Sequence, residues 1–178
     1  WYPSLVGSYD YILDGTGVDV VIQDSGLQID HPEFNDANGV SRVVELDWYA
    51  ASGLSGTQSV NHYRDRDGHG THVGGTAVGL TFGWGRNAAV YAVKVNGLEG
   101  SGDSGTGISI SNVFDVIKLW HRKKPVDPIT GVKRPTIINA SWGYSTTATS
   151  LQSVTYRGFT YNSGNDGSFS STPNSHMR

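Results

Sequence analysis

The sequence predicts an α/β fold: a mostly parallel sheet flanked by helices. Three observations carry that expectation. Short β-branched apolar runs bounded by glycine recur along the chain, and segments with helical spacing lie between them. Polar residues suited to chemistry fall just past the ends of those runs, where open parallel sheets gather their functional side chains.

The first run, "GVDVVIQDSG" (17–26), reads as a buried strand with Asp24 at its C-terminal end. "SRVVELDWYA" (41–50) reads as a second strand. "THVGGTAVGL" (71–80) is made of small residues; its glycines disfavour an isolated helix but suit one packed closely on a sheet. "NAAVYAVKVNG" (87–97) alternates as a strand and breaks at Gly97. A loop with four glycines, "LEGSGDSGTG" (98–107), follows. In "ISISNVFDVIKLWHRK" (108–123), Ile108, Val113, Val116, Ile117 and Trp120 fall on one helical face. "PTIINASWG" (135–143) reads as another buried strand. From residue 144 the chain turns rich in Ser, Thr, Gly and Asn. There "VTYRGFTYNSG" (154–164) has the pattern of an inserted hairpin around Arg157-Gly158, followed by a poorly ordered end.

The chain of 178 residues suits one domain with a core, and 37% hydrophobic with 16% charged residues describes a globular protein. Net charge is −3 with no long run of one sign, so neither nucleic acid nor a membrane surface is expected as a partner. The one basic cluster, "HRKK" (121–124), reads as the solvated end of a helix. Absence of cysteine excludes disulfides and thiolate metal sites but leaves the compartment open. No apolar run approaches membrane-spanning length. A chain beginning at Trp1, with no initiator Met and no signal-like segment, is expected to be a processed product or a piece of something longer.

Asp24 and His69 form the chemical nucleus of the reading. An imidazole takes and returns protons near neutral pH, and a buried carboxylate on its Nδ1–H fixes the tautomer and stabilises the imidazolium. Glycines at 68 and 70 permit a close approach and a sharp turn into a helix, which Thr71 could help cap. Spacing alone leaves two plainer readings open, a turn-capping Asp and a structural His.

The extended motifs go further. "VVIQDSGLQIDHPEF" (20–34) resembles the catalytic-Asp segment of the subtilisin-like serine proteases, and "DGHGTHVGGT" (67–76) their catalytic-His segment. "AAVYAVKVNGLEGSGDSGTG" (88–107) is similar to the following strand and substrate-binding loop, and "IINASWG" (137–143) to the strand beside the primary specificity pocket. The order Asp before His is that of subtilisin. The resemblance, nearest the proteinase-K-like branch, implies a serine endopeptidase acting on polypeptide with an Asp-His-Ser triad. Residues 1–178 would then be the N-terminal part of one catalytic domain, its three-layer subtilisin-like fold incomplete in this chain.

The same resemblance makes Asp24 the orienting carboxylate and His69 the general base and acid. It makes His72 a buried structural support beneath the site. Gly100, Ser101 and Gly102 match the edge on which extended substrate pairs by β-augmentation, and Ser141, Trp142 and Gly143 match the second substrate-binding segment. Asn165, in "NSGNDG" (162–167), is the candidate oxyanion donor, although "YRGFTY" supplies neither the helix nor the apolar strand that precede that element in the family. Its residues alone read as a loop turn.

The family's nucleophile lies in a Gly-Thr-Ser motif, and no such tripeptide occurs in these 178 residues. The Ser is therefore expected beyond this chain, with the rest of the domain as a partner, and the chain alone is expected to be inactive. The alternative is a non-catalytic subtilisin-like module for peptide binding or assembly. A metallohydrolase using His69 and His72 with Asp24 or Asp67 fits poorly, because the two-His helical zinc motif needs i, i+4 spacing and a Glu base. No metal or other cofactor is expected. Calcium occurs in the family, but "AVGLTFGWGRNA" (77–88) has no calcium loop, and Asp30 and Glu33 read as solvated carboxylates. Family tendency implies a secreted or extracellular protein.

Overall fold

The computed structural model describes residues 12–143 together with the strands 153–156 and 159–162. It divides into two units, residues 1–141 and 142–178, and each is described by itself.

In the first unit, strand β1 (Asp19–Asp24) is buried at every position, which requires partners on both edges and cover on both faces. It receives them. β2 (Ala89–Lys94) and β3 (Thr136–Asn139) pair with it in parallel, giving the order β2-β1-β3. Val20 lies opposite both Val90 and Ile137, and Asp24 opposite Lys94. The three strand ends that carry the candidate residues therefore share one end of the sheet.

Alternation sends β1 side chains to two cores. On one face Val20 and Ile22 join Val90 and Ala92 beneath Leu27, Phe34 and Val78. Helix α2 (His69–Val78) supplies Val78, with Val73 and Ala77 packed at the margin. The opposite layer consists of α1 (Trp48–Ser52) and α3 (Ile110–Lys123). There Trp120 meets Trp48 at 5.3 Å and Tyr91 at 4.6 Å between ring centroids. Val113, Val116 and Ile117 are buried along the face of α3 that the spacing predicted. Each such side chain removed from water stabilises the unit by roughly 1.5–3 kcal/mol.

Three expectations need correction. The segment 41–50 is not a strand. It touches β2 at one bridge, with Val44 N–H donating to Val90 O and Val90 N–H to Arg42 O. It then turns where Asp47 caps α1 by accepting the Ala50 N–H at 3.0 Å. That cap and the burial of Trp48 outweigh the β-branched pair Val43-Val44. Strand β3 is present but not buried: Ile137 is 56% and Ile138 40% exposed, because no further strand pairs with it among the described residues. Nor is "HRKK" simply solvated. Lys124 folds inward to Asp19, the Arg134 carbonyl and Thr136 Oγ1, above the Trp120 ring, while His121 Nδ1 meets Thr136 Oγ1 at 2.9 Å.

In the second unit, β4 (Ser153–Tyr156) and β5 (Phe159–Asn162) pair antiparallel with Tyr156 opposite Phe159; residues 157–158, about which the hairpin is expected, lie outside the described residues. The expected poorly ordered end lies outside the described residues.

Candidate active site

β1 ends at Asp24 and α2 begins at His69, and the packing of this helix on this strand brings the two side chains together. His69 Nδ1 lies 2.7 Å from Asp24 Oδ1, which also accepts the Ser25 N–H at 2.7 Å. The Asp24 side chain is 1% exposed and that of His69 49%. An ionised carboxylate only accepts, so the imidazole proton is assigned to Nδ1, leaving Nε2 with a free lone pair. The hydrogen bond that His69 donates to Asp24, then the Asp24 charge, raises the His69 pKa above the ordinary imidazole value. Desolvation opposes this, and Asp67 and Asp65 add to it.

Close approach depends on Gly70. A Cβ there would lie 2.1 Å from the Gly26 carbonyl oxygen and 3.1 Å from Asp24 Cβ, so no other residue fits between strand end and helix. Gly68, the N-cap, takes the left-handed conformation with φ 87° and offers no capping side chain. Asp65 supplies the cap instead, bonding Gly68 N–H at 2.8 Å and Thr71 N–H at 2.8 Å. Thr71, the cap expected from sequence, donates its hydroxyl to Asp65 at 2.6 Å. In the sequence Asp65 is marked only as a carboxylate four residues before a helical His, just ahead of a cap position filled by glycine.

The 98–107 loop is organised around two buried carboxylates. Asp103 meets Lys94 Nζ at 3.1 Å, with both side chains no more than 1% exposed, and Arg66 Nε lies 3.5 Å from its other oxygen. Lys94 Nζ also reaches Thr106 Oγ1 at 3.3 Å. Burial pushes the Asp103 carboxyl up, but the Lys94 bond and charge and the nearby arginines outweigh it and hold it below the usual range. Glu99 accepts the N–H groups of Gly97, Gly105 and Gly107. A lysine inside the apolar strand "AVYAVKV", followed by two acids, was the sequence signal for this arrangement.

Gly100, Ser101 and Gly102 occupy a turn on this loop, with φ 72° at Gly100 and 89° at Gly102, and Ser101 and Gly102 are exposed. Gly100 is pressed against the chain leading to His69: a Cβ there would sit 2.9 Å from Asp67 N. Past β3, the exposed Ser141 accepts from Asn139 Nδ2 at 2.9 Å. Trp142, half-buried, and Gly143, exposed, open the second unit. Asn165 lies outside the described residues.

His72 is exposed and not a buried support, since it falls on the outer face of α2. Glu33 is half-buried and not merely solvated: its carboxylate accepts the Thr81 N–H at 2.9 Å. Asp30 is exposed. Among the described residues, no three His, Cys, Asp or Glu side chains are arranged to hold a metal ion. No helix among them is long and apolar enough to cross a membrane.

This chain is similar to a cuticle-degrading serine protease of Arthrobotrys oligospora, with 38% identity over 104 residues, covering 58% of this chain and 23% of that protein. Subtilisin-like protease 9 of Arthroderma otae is 36% identical over 101 residues, covering 55% and 22%. The chain thus matches less than a quarter of the length of these curated relatives. A crystal structure of a cold adapted subtilisin-like serine proteinase shares 26% identity over 79% of this chain and 42% of that one, with a TM-score of 0.48. Residues 15–174 match the Subtilase family, and the chain belongs to that family.

Proposed function

We propose that the protein is a serine endopeptidase of subtilisin type in which Asp24 orients and His69 acts as general base and acid. The observation that carries this reading is the 2.7 Å hydrogen bond from Nδ1 of a half-exposed, helix-start imidazole to a buried strand-end carboxylate. That arrangement leaves Nε2 available to take a proton from a serine hydroxyl as the hydroxyl oxygen attacks a peptide carbonyl. The same nitrogen returns the proton to the departing amine, and Asp24 stabilises the imidazolium in between.

The nucleophile is assigned to the part of the domain beyond these residues, which is also the partner proposed for β3. Exposure of Ile137 and Ile138 on a strand edge that has no partner among the described residues supports that assignment, because apolar edge strands are ordinarily covered. Extended polypeptide is the proposed substrate, bound along 100–102 and 141–143, with Asn165 the candidate for the oxyanion. No cofactor takes part in this proposal, and an extracellular location belongs to it by family tendency.

Hydrolysis of an extended peptide by the full-length protein, compared with its His69→Ala and Asp24→Asn variants, tests the reading. Both variants should lose turnover, the second by about 10⁴-fold as for triad Asp→Asn changes generally. Undiminished turnover in either would remove the assignment. Peptide binding without turnover in the unaltered protein would instead favour a non-catalytic module.

A further inference from the structure

α2 starts at His69 behind a glycine, so its first N–H groups have no side chain from the cap residue to satisfy them. One carboxylate does that work from outside the helix. Asp65 Oδ1 accepts the N–H groups of Gly68 at 2.8 Å and Asp67 at 3.2 Å, and the Ser25 hydroxyl at 2.9 Å. Oδ2 accepts the N–H of Thr71 at 2.8 Å and its hydroxyl at 2.6 Å. Two of these partners carry the connection onward: Ser25 Oγ accepts the Gly70 N–H at 2.9 Å, and Thr71 Oγ1 accepts the Gln28 N–H at 3.0 Å. Residues on both sides of His69 are thereby fastened to the residues that follow Asp24.

We propose that Asp65 is a positioning residue for His69, clamping the first turn of α2 to the end of β1 and so fixing the reach from His69 Nδ1 to Asp24 Oδ1. Asp65 acts through Ser25, Thr71 and the backbone, not on the reacting atoms. Its five bonds all come from donors, so an amide in its place must turn an NH₂ toward at least one of them. Burial pushes the Asp65 pKa up, but the bonds, that of Thr71 foremost, prevail and hold it below the carboxylate range. It therefore stays an anion at the helix N-terminus, where it offsets the positive end of the dipole that would otherwise disfavour an imidazolium at His69.

The inference rests on reading His69 as the base, so the experiment separates the two. In the full-length protein, Asp65→Asn and Thr71→Val are compared by the NMR titration of the His69 ring and by kcat and KM on an extended peptide. Asp65→Asn should lower the His69 pKa and cut kcat by about 10- to 100-fold, the scale of a small misplacement, with a much smaller change in KM. Thr71→Val should act in the same directions more weakly, and Thr71→Ser, which keeps the hydroxyl, should behave as the unaltered protein. If Asp65→Asn does not fold, Thr71→Val against Thr71→Ser decides alone. A lowered melting temperature with the His69 pKa and kcat unmoved would make Asp65 a purely structural cap and overturn the proposal. Failure of the base assignment has its own signature: Asp24→Asn leaving the His69 titration unchanged.

Discussion

His69 and His62 show how one side-chain type is driven in opposite directions by its surroundings. Bonded to Asp24, the His69 pKa stands above the ordinary 6.5. Its protonated form is favoured in the folded state, so the stability it contributes is fully present below the unfolded value and disappears as pH rises through the folded one. A base must be neutral, so the opposite limb governs catalysis. The kcat/KM profile should rise with pH at a midpoint alkaline of 6.5, and Asp24→Asn should move the NMR midpoint of His69 acidward. A His69 midpoint at or below 6.5 in the unaltered protein would contradict the assigned pair.

His62 lies on the other side of that balance. It is 1% exposed, edge-on to Tyr63 at 5.2 Å between centroids. Burial foremost lowers its pKa from 6.5 to about 4, and the Lys94 charge adds to this. The unfolded chain takes up a proton in that window and the folded one does not, so stability should fall between pH 6.5 and 4. The loss is on the order of 3 kcal/mol. Urea unfolding at pH 7 and pH 4 measures it, and His62→Gln should remove that part of the pH dependence.

At the scale of elements, two contacts decide where α2 sits. Gly70 sets its approach to β1, and Gly70→Ala should cost about 1–3 kcal/mol by overpacking, with loss of turnover as His69 is displaced. At the far end, Arg42 binds five carbonyls: those of Glu33, Asn35, Val78, Gly85 and Ala88. Val78 ends the helix, so the guanidinium both caps α2 and pins the 79–88 loop beneath it. Arg42→Ala should lower stability by roughly 1–3 kcal/mol, and Arg42→Lys should not restore it, because an ammonium cannot span that fork. Thermal unfolding of the two variants side by side gives the answer. Arg42 lies in a segment whose pattern reads as a strand, and only the fold brings carbonyls from distant segments around it.

Legibility at the scale of the whole molecule followed the range of the forces involved. β1, β2, α2 and α3 were readable because apolar periodicity and bounding glycines act locally, and the Asp24–His69 pair was readable because both motifs are contiguous. What escaped depends on distant partners. The 41–50 segment lost its strand to a cap at Asp47 and to burial of Trp48 against Trp120. His72 and β3 were expected inside, yet burial at these positions depends on what packs over them, and their own sequence does not encode that. Lys94 and Asp103 could be flagged as misplaced charges in "AVYAVKV" and its loop, but only the return of that loop shows them as a pair.

A catalytic domain assembled from this chain and the residues beyond it is the claim on which the rest depends. Labelling of the full-length native protein by a serine-directed fluorophosphonate tests it most directly. One serine outside residues 1–178 should be labelled, with the label lost or greatly slowed in His69→Ala. Absence of labelling, or labelling equally fast without His69, would contradict it.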